Sequence, residues 1–318
     1  MPSSTAIPTT VFSGFLGSGK TTIISHLVEQ LQNQGKQVIY IKNEIGDENV
    51  DGQIMQGKHI KTKELLNGCI CCTLVGPFIQ AIDEVITTFQ PDRIIIEASG
   101  AADPAAIALM IDSHPKMLRD GVISVIDVVN FEGYKDLSHT AQNQTKFTDL
   151  LVFNKVELVD DQRKEAVVGY VRELNNHSPV VEAPHGQLNT AVAFGISSTE
   201  LESLLAIERS SDTHEHEHHE DHLAEDGITT FHITTGDTYD KAAFAQFLQS
   251  LPGSVYRVKG FVQFADGYQL VNKVGTRHTF EAPPEAFVAT GSSIVFIGFH
   301  ILEIRDQITQ QLAALAKK

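Results

Sequence analysis

The stretch Gly14-Phe15-Leu16-Gly17-Ser18-Gly19-Lys20-Thr21-Thr22 decides the fold. It fits the spacing G-x-x-x-x-G-K-[ST], in which glycines let the backbone turn so that successive N–H groups and a helix N-terminus face phosphate oxygens. Its flanks agree: apolar Ile7, Val11 and Phe12 precede it, and Ile23, Ile24, Leu27, Val28 and Leu31 follow at helical spacing. Strand, loop and helix are therefore expected in that order. Gly14, Gly17, Ser18, Gly19, Lys20, Thr21 and Thr22 would line a nucleotide phosphate site, with Lys20 reaching the β and γ phosphates and Thr21 offering its hydroxyl to Mg²⁺. The plainer alternative is a glycine-rich turn that matches the pattern without a ligand, and the lysine-threonine pair with both flanks in place weighs against it.

Outward from this loop, strand-like runs at Val38–Ile41, Arg93–Ile96, Val122–Ile126 and Leu150–Phe153 alternate with helical patterns such as Leu74, Phe78, Ile79, Ile82, Val85, Ile86 and Phe89. Such alternation predicts an α/β fold, a P-loop NTPase domain with a largely parallel sheet covered on both faces. Ligands of these sheets collect at the carboxyl ends of the strands, where the phosphate loop, Glu97 and Asn154 all fall.

The chain has three cysteines in 318 residues, all within Gly68-Cys69-Ile70-Cys71-Cys72. An odd number at such short intervals argues against a disulfide. Thiolates are soft ligands suited to Zn²⁺ or Cu⁺, and zinc takes four donors in a tetrahedron, so a site built on these three leaves one position for water, Glu44, a histidine or a partner's side chain. Buried small side chains and a redox thiol pair remain the bland readings.

A formal charge of −16 and the lack of a Lys/Arg-rich block exclude nucleic acid as an expected partner and favour a multivalent cation. Residues 1–10 combine neither a basic start nor an apolar core, and no apolar run is long enough to span a membrane, so a cytoplasmic location is expected. Length suggests more than one domain. From Asp212 to Asp226 the chain holds seven acidic residues and five histidines, His214, His216, His218, His219 and His222, with no lysine or arginine. That segment reads as a linker, with weak metal capture and plain solvation as equal alternatives. The expected division is 1–207 for the nucleotide domain, 208–226 for the His-rich linker and 227–318 for a smaller α+β domain. Strands in the last part are expected at Ile228–Ile233, Val255–Phe264, Tyr268–Val274, His278–Phe280 and Ser293–Phe299, and helices at Asp240–Leu251 and Ile301–Leu315.

The phosphate loop, the Gly-Cys-x-Cys-Cys run, Glu97-Ala98-Ser99-Gly100 and Asn154-Lys155-Val156-Glu157, in that order, resemble the CobW family of metal-chaperone GTPases. The resemblance extends over nearly the whole chain, because members commonly carry a His-rich linker and a small C-terminal domain. It implies a GTP-hydrolysing metallochaperone that uses GTP/GDP and Mg²⁺, binds Zn²⁺ (Co²⁺ or another divalent metal being alternatives) at Cys69, Cys71 and Cys72, and delivers it to a client metalloprotein. By the same resemblance Lys20 and Glu97 are the catalytic groups, with Glu97 contacting Mg²⁺ directly or through water. Gly100 would sense the γ-phosphate, Asp51 would approach Mg²⁺ and Glu44 the thiolate metal; exposed loop carboxylates are the plain reading of Glu44 and Asp51. Asn154, Lys155 and Glu157 stand where the family reads guanine, usually with Asn-Lys-x-Asp. A carboxylate at Glu157 keeps the hydrogen-bonding logic, and its extra methylene leaves the strictness of GTP over ATP open. Asp127 falls in a family segment near the nucleotide. No arginine finger is identifiable, so intrinsic turnover is expected to be slow. A homodimer across the nucleotide face is compatible with the resemblance and specified by no residue. A metal buffer with structural nucleotide and a small-molecule phosphotransferase are the rival readings.

Overall fold

A computed structural model describes residues 6–42, 61–64, 75–100, 103–133, 139–195, 228–283 and 291–316. The chain divides into two compact units, Met1–Thr190 and Ala191–Lys318.

The first unit is a seven-stranded sheet in the order β3-β2-β4-β1-β5-β6-β7, and every pairing in it is parallel. Its strands are β1 (Ile7–Ser13), β2 (Val38–Lys42), β3 (Lys61–Glu64), β4 (Arg93–Glu97), β5 (Met117–Asp127), β6 (Leu150–Asn154) and β7 (Val180–Ala183). The helices between them are α1 (Lys20–Asn33), α2 (Val75–Phe89), α3 (Pro104–Ser113), α4 (His139–Lys146) and α5 (Asp161–Arg172), and α6 (Thr190–Phe194) follows β7 and ends in the second unit. The central strands β1, β2, β4 and β6 are buried at nearly every residue because parallel sheets bury both faces. α1 closes over one side with Ile23, Ile24, Leu27, Val28 and Leu31 buried. A core cluster joins Ile82, Val85 and Ile86 of α2 and Ile107 and Ile111 of α3 to Val11, Ile39, Ile94 and Ile96 of the sheet.

Two strands escaped the sequence pattern. β3 is Lys-Thr-Lys-Glu, a polar edge strand with no apolar alternation, and β7 is four residues long. α3 starts where Asp103 accepts the N–H of Ala105 at 2.9 Å with Pro104 as its first residue, an arrangement that satisfies one orphan donor and wastes none.

The topology places the site. β1 lies between β4 and β5, with Phe12 opposite Glu97 on one side and Ile123 on the other. The connections diverge to either side of β1, which opens a crevice beyond its carboxyl end.

The second unit holds the antiparallel sheet β11-β10-β9-β12-β8, formed by β8 (Ile228–Thr235), β9 (Val255–Phe264), β10 (Gly267–Val274), β11 (Arg277–Glu281) and β12 (Ser292–Phe299). Helices α7 (Lys241–Ser250) and α8 (Arg305–Ala314) pack Phe244, Phe247, Leu248, Ile308 and Leu312 against Val258, Val262, Val271, Ile294 and Phe296. The expected helix from Ile301 to Leu315 is instead a 3-10 turn, Ile301–Ile304, followed by α8. His300, at φ 50°, breaks the backbone just before the turn, so regular α geometry begins only at Arg305. The Asp212–Asp226 tract lies outside the described residues.

Candidate functional site

The phosphate loop runs from the end of β1 to the first turn of α1. Gly14 takes φ 132°, and a Cβ there would stand 2.2 Å from the carbonyl oxygen of Val125 on β5. Gly19 is the N-cap of α1 at φ 95°. Both conformations are closed to L side chains without strain. Lys20 is 6% exposed, and its Nζ donates to the carbonyl oxygens of Gly14 at 2.8 Å and Phe15 at 3.0 Å, so the cation sits inside the loop. The Ser18 hydroxyl is buried within the same loop and has no hydrogen-bond partner among the described residues, so an incoming oxygen would satisfy it.

Glu97 ends β4 beside this loop. Thr21 Oγ1 lies 3.1 Å from each of its carboxylate oxygens, and the hydroxyl of Tyr40, from β2, donates to Oε2. Glu97 is 6% exposed, and among the described residues its partners are these two hydroxyls, with no cation. A buried carboxylate with hydroxyl donors alone calls for a positive ion. The donor set, one carboxylate and one threonine hydroxyl, is all hard oxygen and fits Mg²⁺.

Gly100 follows the same strand. A Cβ at that position would come 2.8 Å from the backbone nitrogen of Leu16, so only glycine lets this turn close on the phosphate loop. Gln144 of α4 anchors it by donating to the Gly100 carbonyl at 2.7 Å.

Asn154, Lys155 and Glu157 reach the loop from the end of β6. Asn154 Nδ2 donates to the carbonyl of Ser18 at 2.8 Å. Lys155, held at φ 64°, extends Nζ to the carbonyl of Gly17 at 2.9 Å and to Asp127 Oδ2 at 2.6 Å. Asp127 is fixed in turn by the N–H groups of Val129 and Asn130 and by Asn130 Nδ2. Burial disfavours its charge, but the hydrogen bonds from Lys155, Asn130 and Val129 prevail and hold the carboxyl below its ordinary value. Glu157 turns toward the segment after β7, where Oε2 accepts the N–H of His185 at 3.0 Å. That bond is the chief cause of its lowered pKa.

The structure thus brings Gly14 to Thr22, Glu97, Gly100, Asn154, Lys155 and Glu157 to one edge of the sheet. Cys69, Cys71, Cys72, Glu44 and Asp51 lie outside the described residues. Among the described residues no group of three or more His, Cys, Asp or Glu is placed to hold a metal, and no helix is long and apolar enough to cross a membrane. Two groups escaped the sequence pattern. Tyr40 looked like any strand apolar residue, and His185 sits in a Pro-His-Gly turn whose φ of 53° leaves no mark in composition. Asp127 was visible as a residue near the nucleotide, but its pairing with Lys155 across neighbouring strands was not.

The nucleotide-binding domain model described as CobW/HypB/UreG matches residues 8–182, more than half of the chain, and the C-terminal domain model of the cobalamin synthesis protein cobW matches residues 228–316. The chain belongs to the CobW/HypB/UreG family. Members are P-loop GTPases, and this one carries the family's two domains in order. It is 30% identical to a protein named zinc chaperone CobW from Sinorhizobium sp., over 95% of this chain and 96% of that one. It is also 30% identical to zinc chaperone YjiA of Escherichia coli, over 62% of this chain and 63% of the relative. With the zinc-regulated GTPase metalloprotein activator 1 of Schizosaccharomyces pombe it shares 28% identity, over 87% of this chain and 77% of the other. In this CobW/HypB/UreG member the Asn-Lys-x-Glu segment is tied to the phosphate loop by two side chains, Asn154 and Lys155.

Proposed function

We propose that this chain is a Mg²⁺-dependent GTPase that binds Zn²⁺, or a similar divalent metal, at Cys69, Cys71 and Cys72 and delivers it to a client metalloprotein under nucleotide control. The observation that carries the nucleotide half is the juxtaposition of Thr21 with the buried carboxylate of Glu97, which among the described residues has only hydroxyl partners, beside a loop whose lysine donates to its own carbonyls. Thr21 and Glu97 are the groups that would hold Mg²⁺, which on binding neutralises charge on the β and γ phosphates. Lys20 would exchange the carbonyls of Gly14 and Phe15 for phosphate oxygens and stabilise the charge that develops during transfer to water. Gly100, packed against Leu16, is the group through which the γ-phosphate would be sensed. Glu157 would accept hydrogen bonds from guanine, and Asn154 and Lys155 would hold the loop to the base site.

The cargo half is supported by the sequence Gly-Cys-x-Cys-Cys and by relatives named zinc chaperones. The cysteines lie in sequence between the segments expected to respond to the γ-phosphate, so an ordering of those segments would set the geometry of the thiolates. Zinc affinity should be measured by competition with a chromophoric chelator, without nucleotide, with GDP and with a non-hydrolysable GTP analogue, alongside a Cys71→Ala, Cys72→Ala control. Affinity that depends on both nucleotide and cysteines supports the reading, and linkage then requires nucleotide affinity to change by the same factor with zinc. Equal affinity in all three states removes nucleotide control and favours a metal buffer.

A further inference from the structure

Tyr40 occupies β2, outside every motif named above, yet its hydroxyl ends at the centre of the site. Lys42 of β2 pairs in register with Glu97 of β4, and Tyr40, two residues earlier, projects from the same face of the sheet. That offset is about 6.6 Å along the strand, which a phenol can span. Tyr40 is 2% exposed, so its ring is packed and its hydroxyl has little freedom to turn elsewhere.

We propose that Tyr40 is a positioning residue for the Mg²⁺ carboxylate: by donating to Glu97 Oε2 it fixes the carboxylate so that Oε1 stays available to the cation beside Thr21. This rests on reading Thr21 and Glu97 as the Mg²⁺ site. The two carboxylate oxygens are equidistant from Thr21 Oγ1, whose single proton serves only one of them at a time. Thr21 alone therefore leaves the carboxylate free to rock about its terminal torsion, which is broad and roughly two-fold. Tyr40 removes that freedom. It holds one oxygen from below, through a strand, while the other keeps its lone pairs for a metal. Such outer partners orient the direct ligand and lower the cost of organising it on binding.

The test is Tyr40→Phe, which keeps the packed ring and deletes the donor. Affinity for a fluorescent GDP analogue is measured across a Mg²⁺ titration and again in EDTA. The Mg²⁺ midpoint is expected to rise roughly 10- to 100-fold, with affinity in EDTA preserved within about twofold. In a Glu97→Gln background the same substitution should add no further shift, since the two groups act as one unit. An unshifted midpoint overturns the inference, as does an equal loss of affinity with and without Mg²⁺, which would mark Tyr40 as structural only. If the native protein's affinity ignores Mg²⁺ altogether, the Mg²⁺ reading of Thr21 and Glu97 fails and takes this inference with it.

Discussion

Gly19→Ala tests whether the phosphate loop and the Asn154 segment are one mechanical assembly. At φ 95° the new residue bears left-handed backbone strain of about 1–2 kcal/mol. Its Cβ would also stand 2.1 Å from Asn154 Nδ2, far inside any real contact, so the amide must swing away from the Ser18 carbonyl it now reaches at 2.8 Å. Breaking that bond in a buried setting adds about 1–3 kcal/mol, and the sum is about 2–5 kcal/mol. The chain has no tryptophan to report unfolding, and with two compact units a single global transition is not a defined measure of the loop. Hydrogen exchange read by mass spectrometry on peptides from residues 20–33 gives the local value instead. In an Asn154→Ala background the obstacle and the bond are already gone, and Gly19→Ala should cost only the backbone part, about 1–2 kcal/mol. Equal costs in the two backgrounds would refute the argument that the amide is what the methyl group meets.

Three further outcomes follow from particular contacts. Replacing Glu157 by alanine is expected to reduce preference for GTP over ATP roughly 10- to 100-fold, the worth of one hydrogen bond to a charged group, measured by competition binding. Asp127 has a folded pKa held below its ordinary value, so its contribution is present above the ordinary carboxylate pKa and is lost as pH falls through the lower folded one; Asp127→Asn should flatten that acid limb in exchange measured on residues 150–157. Lys273 of β10 is buried, which lowers its pKa to about 8. The unfolded chain then binds more protons between that value and the ordinary lysine pKa, so the second unit should gain stability across that window, and Lys273→Met should abolish the gain in pH-dependent melting.

The parts legible in the sequence were those with a period or a fixed spacing. Apolar runs announced β1, β2, β4, β5 and β6, and the glycine-lysine spacing announced the loop, because each is a local requirement met by adjacent residues. β3 was illegible because an edge strand need not alternate, and β7 because four residues carry too little pattern. The site was legible in its members and not in its wiring. Lys155 is legible as a member of the Asn-Lys-x-Glu segment, but the contacts of its Nζ with the Gly17 carbonyl and Asp127 are not. Tyr40 and Glu97 are fifty-seven positions apart and meet because β2 lies beside β4, a neighbour relation that is set by the crossover of the chain and leaves no trace in either segment.

The sheet order has a consequence for synthesis. The groups at the site come from the ends of β1, β2, β4, β5 and β6, and the partner of Glu157 follows β7, so the loop that appears first on the ribosome is completed by residues made more than one hundred and sixty positions later. Until His185 has emerged and docked, Glu157 lacks the N–H that aims it, and on the proposed reading a nascent chain carries a phosphate loop without a finished base site. If guanine nucleotide binds at that edge as proposed, its binding would report that the first unit has folded and would favour completed over partly made chains by mass action.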